Sequence, residues 1–220
     1  MALAIEGVAT ATGSGSGPFT WSHTCSSTDR FLLIGVSYYT AAATISALTY
    51  NGVALTVVPS STVTIGQYTS TLYSLIAPDS GSNTVSITFT ATVYDFGAGA
   101  IAFSGAHQTT PLGTAATASN TSTTPSVNVT AASGELVIDT LTIVHTGTLT
   151  VGADQTQRWN GVSSIGHIKY ASSSEDGVAT TTMSWSNSTS QAWALSSVAV
   201  KPVASAAAGV RQLCLTGVGT

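Results

Sequence analysis

The sequence predicts an all-β sandwich of jelly-roll or Greek-key type, built from two related halves. Short runs of β-branched and aromatic residues recur between Gly, Ser, Asn and Asp clusters, and no window holds a helical period. Three blocks in the first half return in the same order in the second. Charged side chains make up 6% of the 220 residues and hydrophobic ones 43%, whereas an ordinary soluble domain is about 25% charged. A chain so poor in charge and rich in apolar residues has a core to bury and is not disordered.

In the first half, strands are expected at 3–10, 19–24, 31–38, 46–50, 54–58, 62–65, 69–76, 84–90 and 98–104. Phe19 and Trp21 share one face of their strand while Thr20, Ser22 and Thr24 share the other, which assigns the aromatic pair to the core. Asn51-Gly52 suits the positive φ angles of a type I′ hairpin. After a Thr-rich connection, further strands are expected at 126–130, 135–144, 155–159, 164–170, 180–185 and 192–201. Met183 and Trp185 repeat the parity of Ile87 and Phe89, so Trp185 is also assigned to the core.

The repeat pairs Phe19-Thr-Trp-Ser-His-Thr24 and Asp29-Arg-Phe-Leu-Leu-Ile34 with Ser126-Val-Asn-Val-Thr130 and Gly134-Glu-Leu-Val-Ile138. It pairs Leu48-Thr-Tyr-Asn-Gly-Val53 with Gln157-Arg-Trp-Asn-Gly-Val162, which predicts a second type I′ turn at Asn160-Gly161. It pairs Leu72–Leu75 and Val85–Phe89 with Lys169–Ser172 and Thr181–Trp185. The expectation is one domain over 1–203, with pseudo-repeats at about 19–105 and 126–201 closing around a shared interior. Residues 204–220 form an extended C-terminal arm: a small-residue stem, then a terminal strand in which Arg211, Leu213 and Leu215 share one parity. Such a strand suits addition to a neighbour's sheet edge. Arg211, Leu213 and Leu215, with Leu3 and Ile5 of the first strand, are the candidate partner-binding residues.

Only Arg30, Arg158, Lys169, Lys201 and Arg211 are basic, too few for a phosphate-binding stripe, so nucleic acid is not an expected partner. No apolar run approaches a membrane span, and Met1–Glu6 lacks the pattern of a secretory leader. No enzymatic activity is expected. Glu135 and Asp139 share a strand face as a glycosidase pair would, but no third polar group accompanies them. His23, His107, His145 and His167 lack metal-ligand spacing, and Cys25 and Cys214 form no Cys-x-x-Cys pair. Cys25 and Cys214 are read as buried free thiols rather than a disulfide. Asp79-Ser-Gly-Ser-Asn83 reads as a plain turn rather than a calcium loop. No metal or other cofactor is expected. Trp159, Tyr38, Tyr39, Tyr68 and Tyr94 are read as contact residues beside turns.

Gly97-Ala-Gly-Ala-Ile-Ala-Phe-Ser-Gly-Ala-His-Gln-Thr-Thr-Pro-Leu-Gly113, with Phe31–Ser37, Leu48–Leu55 and Asn83–Phe89, resembles a β-sandwich module of phage structural proteins and large bacterial surface proteins. The resemblance covers about residues 15–201 and is strongest to the cement, or decoration, proteins of tailed-phage capsids. It implies a homotrimer on the outer capsid surface, assembled in the host cytoplasm, that binds across subunits of the major capsid protein without a cofactor. The alternative is a carbohydrate-binding or adhesin module of a phage tail or cell surface, which calls for an exposed aromatic platform over a glycan.

Overall fold

A computed structural model describes residues 2–204, entirely as strands and connections. The strands form four antiparallel sheets. In the first sheet, β1 (Ala4–Gly15) pairs with β10 (Val93–Ser104), β10 with β3 (Phe31–Tyr39) and β3 with β8 (Tyr68–Ile76). The short strands β6 (Thr56–Val57) and β7 (Val63–Ile65) add to β8. The second sheet runs β2 (Phe19–Cys25), β9 (Gly81–Phe89), β4 (Ile45–Tyr50), β5 (Val53–Ala54). The third runs β11 (Ala116–Ser122), β18 (Gln191–Val200), β13 (Leu136–Val144), β16 (Ile168–Asp176), β15 (Thr156–Val162). The fourth runs β12 (Ser126–Val129), β17 (Thr181–Asn187), β14 (Leu149–Val151).

Strand parity decides how the sheets stack. On β3, Leu32, Ile34, Val36 and Tyr38 pack against Leu48, Val85 and Ile87 of the second sheet. Phe31 and Leu33, on the opposite face, pack with Ile138, Tyr170 and Val198 of the third sheet. Val137, Leu141 and Ile143 of β13 then face Val127, Met183 and Trp185 of the fourth. The order of layers is therefore second, first, third, fourth. The inner strands of the two middle sheets, β3, β10, β13 and β18, are buried on both faces, and β3 accordingly reads as a continuous apolar run at Phe31-Leu-Leu-Ile34. Strands of the outer sheets alternate buried with exposed, as β12 and β17 do.

This stack differs from the single shared interior expected from the sequence. The apolar residues form three separate layers, one within each half and one along the seam between the middle sheets. The strand order of the second pair of sheets follows that of the first, with β11, β12, β13, β14, β16, β17 and β18 in the places of β1, β2, β3, β4, β8, β9 and β10. Two of the three repeated blocks occupy matching places; the middle one does not. Asn51 and Gly52, at φ 49° and 78°, turn β4 into β5. Asn160 and Gly161 instead lie inside β15, opposite Ala171 and Tyr170. Gly161 is small because the Tyr170 ring lies over it, its Cε1 2.6 Å from where a Cβ would stand.

The seam is held by close approach and hydroxyl groups rather than charge. A Cβ on Gly35 would lie 2.6 Å from Oγ1 of Thr140. Ser70 donates to the Thr140 carbonyl at 2.8 Å, Thr142 to the Thr69 carbonyl at 2.8 Å, and Ser37 to the Leu141 carbonyl at 3.1 Å. Ser196 donates to the Ser61 carbonyl. Each bond ties a side chain of one half to the backbone of the other, and each satisfies a polar group that would otherwise be buried without a partner.

Candidate functional site

The two ends of the seam carry, respectively, a cavity and a cluster of aromatic rings. At one end, where β3 begins and β16 and β18 finish, a cavity of about 930 Å³ opens between the halves. Leu3 and Leu136 line it with Val203, and Asp29, Glu135 and Asp176 supply carboxylates. The first and last described residues, Ala2 and Ala204, also line it. Leu3 and Ile5, candidate contact residues, are half-buried and pack against the seam core. Arg211, Leu213, Leu215 and Cys214 lie outside the described residues.

The opposite pole is roughly 27 Å away along the nine residues of β3. There Tyr39 of β3 sits directly opposite Tyr68 of β8, with ring centroids 4.9 Å apart and planes inclined by 14°. Tyr94 and His167 lean on the same Tyr39 ring at 4.9 Å and 5.3 Å. Burial and the neighbouring Tyr39 push the Tyr68 phenol upward. Ile165 and Val162 extend this surface, exposed by 59% and 44%.

Beneath the rings lies Asp95, wholly buried. Its carboxylate accepts bonds from the Ser163 hydroxyl at 2.5 Å, the Ser164 hydroxyl at 3.0 Å, the Ile165 amide at 3.2 Å and the His167 amide at 3.1 Å. A carboxylate of the first half thus shapes the loop of the second half that presents Ile165 and His167. The sequence signal for it is a lone acid between apolar neighbours in Val93–Phe96. Asp95→Ala removes the acceptor from four donors and is expected to lower unfolding free energy by about 3 kcal/mol, measured by urea denaturation. Asp79→Ala, which removes an exposed acceptor for Asn51, is expected to change it by less than about 0.5 kcal/mol.

Several sequence-based assignments are corrected here. Tyr38 is core, not a contact residue, because its parity on β3 turns it toward the second sheet. Trp159 is 7% exposed and lies on Gly99 within the seam. Glu135 and Asp139 do not converge on a cleft: Glu135 accepts from the Ala132 amide at 2.9 Å in its own loop, and Asp139 is fully buried between the third and fourth sheets. Asp139 accepts from the Ser173 amide at 2.5 Å, the Ser173 hydroxyl at 2.9 Å and the Trp185 indole at 2.7 Å. Burial outweighs those bonds and pushes its carboxyl up to about 7.

The remaining polar candidates have structural surroundings. His23 is a buried residue of β2, and burial brings its imidazole down to about 4. His107 Nδ1 lies against the amides of Thr109 and Thr110, and His145 Nδ1 lies 2.9 Å from the Gly166 carbonyl. Cys25 is buried, and burial raises its thiol above the usual range. Among the described residues no group of three or more His, Cys, Asp or Glu side chains is placed to hold a metal ion.

Comparison with known proteins returned no matching family model, curated protein or solved structure.

Proposed function

We propose that the protein is a non-catalytic virion subunit, a cement or decoration protein of the outer capsid surface that binds as a homotrimer across subunits of the major capsid protein. The observation that carries this reading is the meeting of both ends of the described chain at one pole of the four-layer stack. With Ala2 and Ala204 at one pole, contacts made from that pole to neighbouring subunits leave the four-layer stack clear of the shell. In each half, strands alternate between two facing sheets in an order consistent with a jelly-roll wrap, as in β1-β10-β3-β8 against β2-β9-β4-β5. The scarcity of charge also suits attachment by shape and backbone bonds.

Mixing the purified chain with undecorated shells tests the proposal. The full chain is expected to sediment with the particles and to run as a trimer in analytical ultracentrifugation. A chain stopped after Ala204 is expected to lose particle binding while keeping its circular dichroism. Equal binding by the shortened chain would remove the terminal pole from the role.

The aromatic pole favours a second reading as a glycan-binding or adhesin module. Stacked Tyr39 and Tyr68, flanked by Tyr94 and His167, offer flat faces to a sugar ring. Under this reading, Tyr39→Ala and Tyr94→Ala abolish signal on a glycan array, whereas removal of residues 205–220 leaves it unchanged. Under the capsid reading, the same tyrosine variants still bind particles.

A further inference from the structure

We infer that Asn51-Gly52 is a site of spontaneous covalent modification, at which the asparagine side chain sheds ammonia and becomes aspartate or isoaspartate, and that the fold holds Asn160-Gly161 back from the same reaction. This goes beyond the capsid assignment and does not rest on it.

Water is the only co-reactant. The Gly52 amide nitrogen attacks the side-chain carbon of Asn51; a new C–N bond forms, the bond to the side-chain nitrogen breaks, and that nitrogen leaves as ammonia with the Gly52 proton. Water then opens the cyclic imide at either carbonyl, giving aspartate or, where the main-chain bond breaks, isoaspartate. Nothing is oxidised or reduced. A glycine in second place leaves the approach free of a Cβ, and the space beside Gly52 is open, with nothing within 4 Å of where a Cβ would stand. Ring closure needs a backbone that neither a tight turn nor an extended strand supplies, so its rate follows the free energy of local opening.

That opening is cheap at Asn51 and costly at Asn160. Asn51 and Gly52 are exposed and lead into β5, a strand of two exposed residues at the edge of its sheet. The Asn51 side chain donates to the exposed Asp79 carboxylate at 2.8 Å. Asn160, by contrast, lies within the seven residues of β15, paired along β16. Its side chain donates to the Leu149 carbonyl at 2.9 Å and to the Gln157 side chain at 3.3 Å. Gly161 lies under the Tyr170 ring, and Tyr170 and Trp159 belong to the seam core, so freeing this pair means lifting a strand from the seam. At Asn51 the product sets a carboxylate where an amide donated to Asp79, which turns attraction into repulsion, and isoaspartate adds a backbone atom to the turn that pairs Tyr50 with Val53. In a chain of net charge −4 the extra negative charge separates the modified form on an anion exchanger.

The experiment ages the full chain in mildly alkaline buffer, cuts it at low pH, and follows each site by peptide mass spectrometry through the mass gained when NH2 gives way to OH. In the folded chain, conversion at Asn51 is expected to run at least about tenfold faster than at Asn160. In concentrated urea the two sites share the same dipeptide and no fold, and their rates are expected to agree within about twofold. Equal rates in the folded chain overturn the inference, as does faster conversion at Asn160. A tenfold gap that persists in urea overturns it too, because neighbouring sequence and not the fold then sets the difference. So does a folded chain that keeps both sites intact while the urea-treated chain converts. None of these readouts involves shells, so a failure here and a failure of the capsid reading are told apart.

Discussion

Gly99→Ala is expected to lower the unfolding free energy by about 3 kcal/mol, at the upper end of ordinary overpacking costs. The new methyl group would stand 2.5 Å from Cε2 and Cζ2 of Trp159 and 2.6 Å from Cη2. Trp159 cannot swing away easily, because its ring is buried between the middle sheets among Ile101, Tyr170 and Val198. The neighbouring Gly97 meets the face of Tyr170 in the same way. The strain therefore falls on the contact that joins the halves. Gly7→Ala on β1 has nothing within 4 Å of the added methyl group and is expected to stay within about 0.5 kcal/mol. Urea denaturation of both variants checks the contrast. Trp159→Leu in the Gly99→Ala background is expected to recover part of the loss, with a coupling of about 1 kcal/mol or more between the sites.

Asp139 and His23 are expected to pull stability in opposite directions with pH, and separating them gives the second large effect. The Asp139 carboxyl is raised from 3.8 to about 7 on folding, so the native state holds a proton that the unfolded chain gives up. Its contribution is complete below about pH 4 and disappears as pH rises to about 7, at a slope of up to about 1.4 kcal/mol per pH unit. The His23 imidazole is lowered from 6.5 to about 4, so its contribution is complete above about 6.5 and falls away toward pH 4.

Between those limits the two slopes oppose each other, and the unmodified protein is expected to show a shallow stability profile. Asp139→Ala exposes the His23 slope, so that variant is expected to gain stability from pH 4 to pH 6.5. It is also expected to be less stable by about 3 kcal/mol at pH 4, a gap that narrows as pH rises, because the Ser173 amide and the Trp185 indole lose their acceptor. Asn does not restore the site: its amide nitrogen would face either the Ser173 amide or the Trp185 indole, both of which donate. Denaturation midpoints at several pH values test the signs, and a falling profile in Asp139→Ala would refute the assignment to His23.

The all-β architecture and most strands were legible because the pleat imposes a period of two and burial imposes apolar residues. The same rule distinguishes the layers: continuous runs such as Phe31–Ile34 belong to the middle sheets, and alternating ones such as Thr181–Trp185 to the outer sheets. β11, with its Ala-Thr-Ala-Ser-Asn-Thr-Ser sequence, escaped notice because an edge strand with one solvated face needs little hydrophobic signal. Asn160-Gly161 misled because the pair is equally suited to a turn and to a strand position pressed by an aromatic ring. Trp159 misled for the related reason that proximity in sequence to an apparent turn says nothing about a second sheet arriving from elsewhere in the chain. The bonds from 163–167 to Asp95 and the Tyr39–Tyr68 stack join residues far apart in sequence, and local patterns do not encode such meetings.

The two middle sheets also set the tempo of the molecule. The backbone amides of their inner strands β3, β10, β13 and β18 are screened from solvent above and below, so deuterium can reach them only when the halves come apart or an entire layer lifts. Most of the contacts to be broken join distant parts of the chain, a topology that folds slowly. The innermost protons are therefore held for as long as the two halves stay folded together.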